Sequence, residues 1–577
     1  MLRELVREKL RQALHQSYGL SEQIDVSVPE KPEFGDLSTT VAFALAEKLR
    51  KPPRQIAEEL VTHLDQSPFT KVEVVGGFIN FFLKPEIVHR ALREILEQEH
   101  QYGKLELGRG KRAQVEFVSA NPTGPLTIGH CRQAVLGDVI SRLLENAGYE
   151  VTREYYYNDA GRQMKLLGES VRARYLELLG QSVPFPEEGY HGEYILEIAR
   201  KIQERYGTTW AESPREQFTK FAEAELFTEI KRTLARLFRL PPERVFDVYY
   251  NESWLQAPSR ADLVFVTNEM LVQWLRELGL AYEKDGAIWF KATALGRPQD
   301  RVLVRSQTGE PTYRLPDMAY HANKLLRGFD LIIDIFGADH QDTYQDVLAA
   351  VRALWEGGKL PTECTPEKIR VLIHQWVNLV RGGRPVKMSK RMATFVTIDE
   401  LVDEIKSTVE LDPALDSSQM REDFAVNVVR YFLLMRSADS HVNFDLDLAK
   451  SQSHENPVYY VMYAYTRIKS IWERAPQVSL KAHALEPLRA PEELSLIKKL
   501  DEFPQVVRDA TEHLAPHFLA VYVRELAGLF HDFYERHRVL DEAHPELMHA
   551  RLALCRGTQI VLERAFALLG LKAPERM

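Results

Sequence analysis

Residues 114–148 read QVEFVSANPTGPLTIGHCRQAVLGDVISRLLENAG, and the type of the main domain can be predicted from them. A short apolar run is followed by a loop rich in proline and glycine, and then by apolar residues at helical spacing. A strand, a glycine-containing loop and a helix form the first unit of a nucleotide-binding sheet. The stretch therefore predicts the start of a Rossmann-type catalytic domain built on a parallel sheet.

Three later apolar runs are further strand candidates for this sheet. They are RVLVRS at 301–306, DLIIDIFG at 330–337 and RVLIHQWVNLV at 370–380. Such runs suit a parallel sheet that is buried on both faces. The residues from about 165 to 298 are mostly helical in pattern and carry no motif, so we expect them to form an insertion.

Both ends of the chain predict additional domains. Near the start, Ser38 is a candidate cap for the helix VAFALAEKL, and VEVVGGFINFFL predicts two strands around Gly76-Gly77. From Asn456 onward the helical periodicity is dense, with Asn456 as a cap and Pro457 at the first helical position. We therefore predict an α/β multidomain protein with a small α/β N-terminal domain at 1–108, the catalytic domain at 109–395, a connecting helical segment at 396–455 and an all-α domain at 456–577.

The composition excludes several classes of protein. With 577 residues the chain is too long for one hydrophobic core, and its 45% hydrophobic and 27% charged residues are ordinary for a globular protein. A net charge of -9 argues against non-specific coating of nucleic acid, although a local basic surface is compatible with it. No run of 18 apolar residues and no signal peptide occur, so we expect a cytoplasmic protein without membrane contact.

The three cysteines, Cys131, Cys364 and Cys555, are widely spaced and form no C-x-x-C pair. This pattern predicts neither a disulfide framework nor a thiolate zinc site. We expect ordinary buried thiols.

The loop before the first helix has features of a phosphate site. Pro122 and Pro125 stiffen the loop, while Gly124 and Gly129 let the backbone approach a ligand. His130 falls at the start of the helix, where unpaired amides and the helix dipole favour phosphate. Taken alone, the same residues also fit a simple turn beside a helix-capping histidine.

A second loop, RGGRPVKMSKR at 381–391, holds five cations and no acid. Clustered cations repel each other, so such a loop either has an anionic partner or is solvated surface. A mobile lysine pair that closes on a triphosphate would stabilise the charge that develops on the leaving pyrophosphate.

Together, TIGH after the first strand and KMSKR after the last resemble the two signatures of class I aminoacyl-tRNA synthetases. Further blocks, among them FGDLSTTVAFALAEKL, VEFVSANPTGPL, REYYYNDAGRQ, RVLVRSQTGEPTYRLPDMAYH, GADHQD and NPVYYVMYAYTRI, are similar to the arginyl-tRNA synthetase family and cover nearly the whole chain. The resemblance implies an arginine–tRNA ligase that uses L-arginine, ATP and tRNA(Arg). It also implies a monomer in which Mg²⁺ arrives with ATP, without zinc or a bound organic cofactor.

The resemblance also assigns site residues. A guanidinium group prefers carboxylates, which fits the acids in the arginine set. The implied catalytic residues are His130, Lys387 and Lys390. The implied ATP-binding residues are Thr127, Gly129, His130, Met388, Ser389 and either His340 or Gln341. The implied arginine-binding residues are Ser119, Asn121, Glu150, Tyr313 and Asp317, and no metal-ligating residue is implied.

Two positions depart from the family pattern. Thr127 stands where a histidine is usual; its hydroxyl keeps a donor there, and we expect the change to cost part of one transition-state contact. Tyr155 stands where some relatives have an asparagine that touches the substrate, so its role stays open.

Basic and aromatic residues at both ends of the chain predict contacts with tRNA. In the helix after Asn456, tyrosines alternate with cations, an arrangement typical of RNA binding, although tyrosines at helical spacing usually pack in a core. We assign Tyr459 and Tyr463 to packing. The candidate RNA contacts are Tyr465, Arg467 and Lys469 in this helix, and Arg50, Lys51 and Arg54 in the N-terminal domain.

Two alternatives from other classes remain at this stage. One is a ligase of the same nucleotide fold that makes an acyl-adenylate for a small acceptor; the RNA-sized terminal domains argue against it. The other is a synthetase-like RNA-binding protein that has lost catalysis, for which Thr127 would be the evidence. The intact KMSKR and the acids implied for arginine argue against it.

Overall fold

The structure is a computed structural model that describes residues 1–159, 161–386, 395–409, 417–475 and 484–576. The chain divides into two compact units. Unit 1 comprises Met1–Gly103, Tyr460–Val507 and Val521–Ala565. Unit 2 comprises Lys104–Tyr459, Arg508–Ala520 and Phe566–Met577.

The first hundred residues form helices around an antiparallel sheet of order β1-β3-β2. The strands predicted around Gly76-Gly77 are confirmed as the β2–β3 hairpin. The cap predicted at Ser38 is wrong, because Ser38 lies in a strand and its hydroxyl donates to Asn80 Oδ1 (2.7 Å). The elements are α1 (Leu2–Tyr18), β1 (Leu37–Thr39), α2 (Val41–Leu49), α3 (Pro53–Thr62), β2 (Phe69–Val75), β3 (Phe78–Leu83) and α4 (Pro85–Gln98).

The centre of unit 2 is a parallel sheet with helices on both faces. Its elements and those around it are β4 (Arg112–Glu116), α5 (Ile128–Asn146), β5 (Glu150–Tyr157), α6 (Arg162–Leu178), α7 (Glu193–Tyr206), α8 (Arg215–Phe238), β6 (Val248–Asn251), α9 (Asn268–Glu277), β7 (Ala281–Lys284), β8 (Ala287–Phe290), β9 (Arg301–Val304), α10 (Arg314–Leu326), β10 (Leu331–Gly337), α11 (Thr343–Glu356), β11 (Ile369–His374), β12 (Val377–Arg381) and β13 (Arg384–Pro385).

The parallel sheet has the order β11-β10-β4-β5-β6, and each neighbouring pair is parallel. The predicted strand, loop and helix are confirmed as β4 and α5. A Cβ added at Gly137 of α5 would lie 2.1 Å from the Phe117 ring, so this glycine lets the helix pack closely over the end of β4. The predicted strand at 330–337 is confirmed as β10.

One predicted strand, and part of another, lie outside the parallel sheet. RVLVRS is not in the parallel sheet: β9 pairs with β8 in an antiparallel sheet of order β7-β8-β9. The short connection from β8 to β9 has no room for the crossover that a parallel pair requires. RVLIHQWVNLV is split at Gln375-Trp376 into β11, which ends the parallel sheet, and β12, which pairs with β13 and a later strand.

The region from 165 to 298 is largely helical, but it also contributes a strand to the parallel sheet. Helices α6, α7 and α8 share an apolar core that includes Leu167, Ile198 and Phe218. After α8 the chain returns to the sheet as β6, which pairs with β5. The predicted insertion therefore includes a short strand, which the sequence does not predict because the residues around it have a helical pattern.

The remaining elements are mostly helices. Asn456 is confirmed as a cap, because its Oδ1 accepts the N–H of Val458 (3.0 Å), and Pro457 is the first helical residue. Among the described residues, no helix combines the length and apolar character needed to cross a bilayer. The elements are α12 (Ile398–Thr408), α13 (Ser418–Leu434), β14 (Val442–Asp445), α14 (Leu446–Lys450), α15 (Pro457–Arg474), α16 (Pro491–Glu512), α17 (His517–Arg536) and α18 (Pro545–Leu569).

Candidate active site

The loop that follows β4 has a strained backbone at the carboxyl end of the sheet. Val118 and Ser119 have φ values of 69° and 39°, a region that non-glycine residues rarely adopt. The hydroxyl of Ser119 donates to Glu116 Oε1 (2.8 Å) and accepts the N–H of Tyr156 (3.0 Å). These bonds fix the turn, which is the kind of strain that clusters at functional sites.

Neighbouring side chains fasten the rest of this loop. The Tyr155 hydroxyl donates to the carbonyl of Ala120 (2.5 Å), and the Tyr194 hydroxyl donates to the carbonyl of Thr123 (2.8 Å). Tyr155 is fully buried, so it positions the loop from within the core. The amide of Asn121 donates to Gln163 Oε1 (2.7 Å).

Thr127 and His130 cap the start of α5 together. The backbone N–H of Thr127 donates to His130 Nδ1 (3.1 Å), and the Thr127 hydroxyl lies 3.2 Å from the same nitrogen. Because Nδ1 is an acceptor, a neutral His130 carries its proton on Nε2. Thr127 therefore fixes the orientation and tautomer of the retained histidine.

The backbone at the start of α5 is open to a ligand. A Cβ added at Gly129 would meet only the Thr127 hydroxyl, at 3.9 Å. The first amides of a helix point outward without intrahelical partners. The backbone at Gly129 is thus unobstructed at a helix start, a setting that favours phosphate, and its role in ATP binding stays a prediction.

Tyr313 and Asp317 lie one turn apart at the start of α10. The N–H of Asp317 donates to the carbonyl of Tyr313 (3.2 Å), and the Tyr313 side chain is 56% exposed. The carboxylate of Asp317 makes no hydrogen bond or ion pair with the residues that the structure describes. Desolvation raises the pKa of Asp317 to about 7; the nearby carboxylates of Glu116 and Glu252 also raise it, while His321 and Lys324 oppose the rise.

Glu252 is a second acid at this edge that the sequence did not single out. It follows β6, accepts the hydroxyl of Tyr156 (3.1 Å), and burial raises its pKa. Asp317 and Glu252 therefore place two incompletely compensated carboxyl groups next to each other. Such a pair attracts a cation with several donors, as a guanidinium is.

A buried charge network lies near the two acids. Lys324 is fully buried and pairs with Glu116 (2.5 Å) and with Asp334. His321 Nε2 lies 3.1 Å from Asp334 Oδ2, and Lys324 and His321 hold the pKa of Asp334 well below its usual range. Glu116 thus has one oxygen on Lys324 and one on Ser119, so it supports the loop from below.

The structure does not bring Glu150 to this site. Glu150 is the first residue of β5, in register with Arg112 at the start of β4, and it is exposed. The loop after β4 lies at the opposite, carboxyl edge, about 20 Å away at 3.3 Å per residue. The predicted contact between Glu150 and arginine is therefore wrong in placement, and Glu116, the last residue of β4, is the glutamate at the site edge.

Residues after β10 reach the same edge. His340 ends a short 3-10 turn (Ala338–His340), and its ring stacks on Phe336 with centroids 5.4 Å apart. Both His340 and Gln341 are exposed. Neither contacts Asp317 or His130 in the described hydrogen-bond network, so the choice between them stays a prediction.

The second signature lies outside the described residues. Its predicted site residues are Lys387, Met388, Ser389 and Lys390. The chain after it returns to the first signature. The N–H of Ile398 donates to the carbonyl of Leu126 (3.0 Å), and Thr397 forms an isolated β-bridge with Thr127. Thr397 and Ile398 therefore lie beside the loop that carries TIGH.

The three candidate RNA contacts in α15 of unit 1 have different surroundings. Tyr465 is buried and its hydroxyl donates to Glu563 (2.8 Å), so its predicted RNA contact is wrong, because the ring packs inside the bundle. Arg467 lies between the rings of Tyr463 and Tyr534, with its guanidinium 4.5 and 4.7 Å from their centroids. Lys469 lines a surface cavity.

The basic residues of the N-terminal domain also differ. Lys51 pairs with Glu59 (2.7 Å), whereas Arg54 pairs with Glu58 (2.9 Å) but stays 75% exposed. Arg50 is the C-cap residue that follows α2, and it is exposed. Arg50 and Arg54 are therefore more available to a phosphate than Lys51.

The last features of the described residues are possible metal ligands and the cysteines. No group of three His, Cys, Asp or Glu side chains within the described ranges could hold a metal ion. The three cysteines are buried thiols, as predicted.

A parallel sheet whose first crossover helix presents TIGH, together with the returning segment after KMSKR, defines the class I aminoacyl-tRNA synthetases. Three family models match the chain: the arginyl tRNA synthetase N terminal domain at 2–83, the class I (R) tRNA synthetase catalytic domain at 91–411 and the DALR anticodon binding domain at 461–577. The chain belongs to the arginyl-tRNA synthetase family.

Full-length relatives agree with this assignment. The arginine–tRNA ligase of Desulfotalea psychrophila is 44% identical over 96% of this chain and 94% of its own length. That of Thermotoga maritima is 40% identical over 100% of both chains. Among solved structures, the Thermus thermophilus arginyl-tRNA synthetase is similar with a TM-score of 0.75 and 25% identity, covering 100% of both chains.

Proposed function

We propose that this chain joins L-arginine to tRNA(Arg) in two steps at the carboxyl edge of its parallel sheet. In the first step, the arginine carboxylate attacks the α-phosphorus of ATP, which gives arginyl-adenylate and releases pyrophosphate. In the second step, arginine passes to the ribose of the terminal adenosine of the tRNA. The observation that carries this proposal is the half-buried Asp317, whose carboxylate forms no ion pair with the described residues, at the same edge as the open start of α5.

Arginine selection is the task of the acids at this edge. Asp317 receives the guanidinium, Glu252 lies close enough to share its charge, and Tyr313 offers an exposed ring beside it. Ser119 and Asn121 are proposed to hold the amino-acid backbone. Because the Ser119 hydroxyl already makes two hydrogen bonds, its contribution is to shape the loop.

Adenylate formation needs positioning and charge stabilisation more than a covalent intermediate. The Nε2–H of His130 and the backbone N–H of Gly129 are proposed to donate to phosphate oxygens. Lys387 and Lys390 are proposed to stabilise the leaving pyrophosphate, with Met388 and Ser389 against the nucleotide. Mg²⁺ is proposed to enter with ATP as part of the substrate.

The partner for the second step is tRNA(Arg). In unit 1, Arg467, Lys469, Arg50 and Arg54 are proposed phosphate contacts. The rings of Phe43 and Phe78 are 44% and 45% exposed with centroids 5.0 Å apart, so they offer a stacking surface in the N-terminal domain. We further propose that the enzyme acts as a monomer in the cytoplasm.

The direct test is arginine-dependent pyrophosphate exchange, with and without tRNA(Arg). We expect exchange in at least one of the two conditions. Asp262→Asn, which removes an exposed carboxylate paired with Arg260, serves as a control that keeps activity. Absence of exchange in both conditions, from protein that is folded by circular dichroism, would contradict the proposal.

The proposed role of the KMSKR segment has its own test. Lys390→Ala should slow adenylate formation, by about 10²- to 10³-fold if it removes one transition-state donor, and should change arginine binding little. Single-turnover kinetics and equilibrium binding separate the two effects. Arg384→Ala, an exposed cation of β13, is the matched control. An unchanged rate for Lys390→Ala would remove this segment from the mechanism.

A further inference from the structure

Three arginines of unit 2 converge on one buried carboxylate. Arg297 donates through Nε to Asp346 Oδ1 (2.9 Å), and Arg301 and Arg314 donate through Nε to Asp346 Oδ2 (2.9 and 3.3 Å). Asp346 lies in the first turn of α11 and is fully buried. We call Arg297, Arg301 and Arg314 the arginine cluster.

The arginine cluster has more positive charge than its anchor can neutralise. Three guanidinium groups face one carboxylate, which leaves an excess of two positive charges at this point. Arg297 uses its other nitrogens on Gln345 (2.6 Å) and on the carbonyl of Asp342 (3.5 Å). Within the described part of the chain, the terminal nitrogens of Arg301 and Arg314 have no hydrogen-bond partner.

The geometry of Arg301 and Arg314 suits a phosphate. A guanidinium that is anchored through Nε keeps its two terminal amino groups in a fixed fork, and this fork matches phosphate oxygens. Arg314 is held further by the ring of Tyr313, 5.0 Å from its guanidinium. Because both side chains are already immobilised, binding an anion costs them little conformational entropy.

The position of the cluster separates it from the proposed nucleotide site. Arg314 is the first residue of α10, three positions before Asp317, so the cluster borders the arginine site. Helix α10 packs with α9 and α11, whereas α5, which presents His130, packs with α8 and α13. The cluster therefore lies on the α10 and α11 side, while the start of α5 serves the phosphates of ATP.

We propose that the arginine cluster binds the phosphodiester backbone of tRNA next to its 3′ end, an inference that rests on the proposed transfer of arginine to tRNA. The second step brings the terminal ribose to an arginine held at Asp317, so the nucleotides before it pass the border of that site. An anionic strand there meets Arg301 and Arg314. The same positive charge repels free arginine from the border and leaves Asp317 as its destination.

A purely structural role for the arginine cluster would not explain why three guanidinium groups face one carboxylate. Asp346 could fasten the connection from β8 to β9 onto α11 with a single arginine. Two further guanidinium groups at the same carboxylate add mutual repulsion, which an anionic ligand relieves. The two roles differ in salt dependence, because only phosphate contacts release counterions from RNA when the complex forms.

The test measures binding of tRNA(Arg) to the full-length protein between 50 and about 200 mM KCl, without ATP or arginine. The Arg301→Gln/Arg314→Gln double variant should weaken binding by about tenfold and reduce the slope of log K against log[salt] by about 1.4, since each single-strand phosphate contact contributes about 0.7. Arg276→Gln, which removes an exposed cation of α9, is the matched control and should leave the slope unchanged.

A second part of the experiment tests which part of the tRNA the arginine cluster contacts. For tRNA that lacks its single-stranded 3′ end, the double variant and the wild type should bind equally. A slope difference that persists with this truncated tRNA would overturn the assignment to the 3′ end. An unchanged slope with intact tRNA, or a raised KM for ATP with unchanged tRNA affinity, would overturn the phosphodiester site itself.

The single variant Arg301→Gln provides a second test in case the double variant does not fold. Arg297 and Arg314 still neutralise Asp346 in this protein, so no buried charge is left unpaired. We expect about half of the slope change, and no change would contradict the proposal. Because binding is measured without catalysis, a protein inactive in pyrophosphate exchange still reports on the cluster, and failure of the proposed function stays distinguishable.

Discussion

Asp334 and Asp317 are two carboxylates in the same core whose surroundings differ. Asp334 has Lys324 and His321 as partners, and its pKa is lowered. The carboxylate of Asp317 forms no hydrogen bond or ion pair with the described residues, and desolvation raises its pKa to about 7 although His321 and Lys324 oppose the rise. The fold therefore pairs Asp334 directly with a cation, whereas it leaves the Asp317 carboxyl group available to the ligand proposed above.

The same comparison can be made for positively charged groups, between the arginines around Asp138 and the arginine cluster around Asp346. Around Asp138, the buried Arg430 and its neighbours Arg142 and Arg153 are tied to further carbonyl and carboxylate oxygens of the fold. Around Asp346, two guanidinium groups keep unused donors. Under our two proposals, the acid Asp317 receives arginine and the cations Arg301 and Arg314 receive RNA phosphates.

The largest effect should separate Asp317 from Asp334. Asp317→Asn should lower kcat/KM for arginine by about 10²- to 10³-fold while the protein stays folded, because a guanidinium loses its charged partner. Asp334→Asn should instead lower the free energy of unfolding by about 3 to 5 kcal/mol, because Lys324 is left buried beside too little negative charge. Pyrophosphate exchange and urea denaturation measure the two quantities. Equal effects of both changes on either quantity would break the comparison.

The second effect concerns stability against pH. Asp317 keeps its proton in the folded protein up to pH of about 7, whereas the unfolded chain releases it near about 3.9. The wild type therefore loses stability as pH rises from about 4 to 7, and Asp317→Asn does not. The variant should have the higher Tm at pH 8 and an equal Tm near pH 4. Asp262→Asn should show no such step, and a constant Tm difference for Asp317→Asn would argue against the raised pKa.

The smallest effect concerns Thr127. Thr127→Val keeps the backbone donor to His130 Nδ1 but removes the hydroxyl 3.2 Å from it, and we expect adenylate formation to slow by about tenfold, close to the value of one hydrogen bond. Thr127→Ser should restore the rate. Rapid-quench measurement of adenylate formation compares the three proteins. If valine and serine behave alike, the hydroxyl does not position His130.

Local patterns in the sequence predicted the elements whose partners are close along the chain. The β4, loop and α5 unit and the β2–β3 hairpin are of this kind. The sequence predicts the wrong sheet for β9, because an apolar run does not reveal whether its partner is a distant strand or the preceding one. Likewise, the periodicity of α15 predicts a helix but not which of its faces packs inside the bundle, so it does not predict the burial of Tyr465.

The misplacement of Glu150 has a physical reason that the sequence already contained. In a parallel sheet, ligands bind at the carboxyl ends of the strands, and Glu150 begins its strand. Applying strand direction would have favoured Glu116, which ends β4. Glu252 left no such signal, because β6 is only four residues long and lies within a helical stretch.

The most direct test of the account is the number of protons released when arginine binds. Titration calorimetry in buffers of different ionisation enthalpy gives this number, with saturating tRNA(Arg) present and absent. A free Asp317 with a pKa of about 7 is mostly protonated at pH 6 and becomes ionised against the guanidinium. The account predicts release of about one proton per arginine at pH 6 and close to none at pH 8.5. Arginine binding without proton release at pH 6 would contradict it.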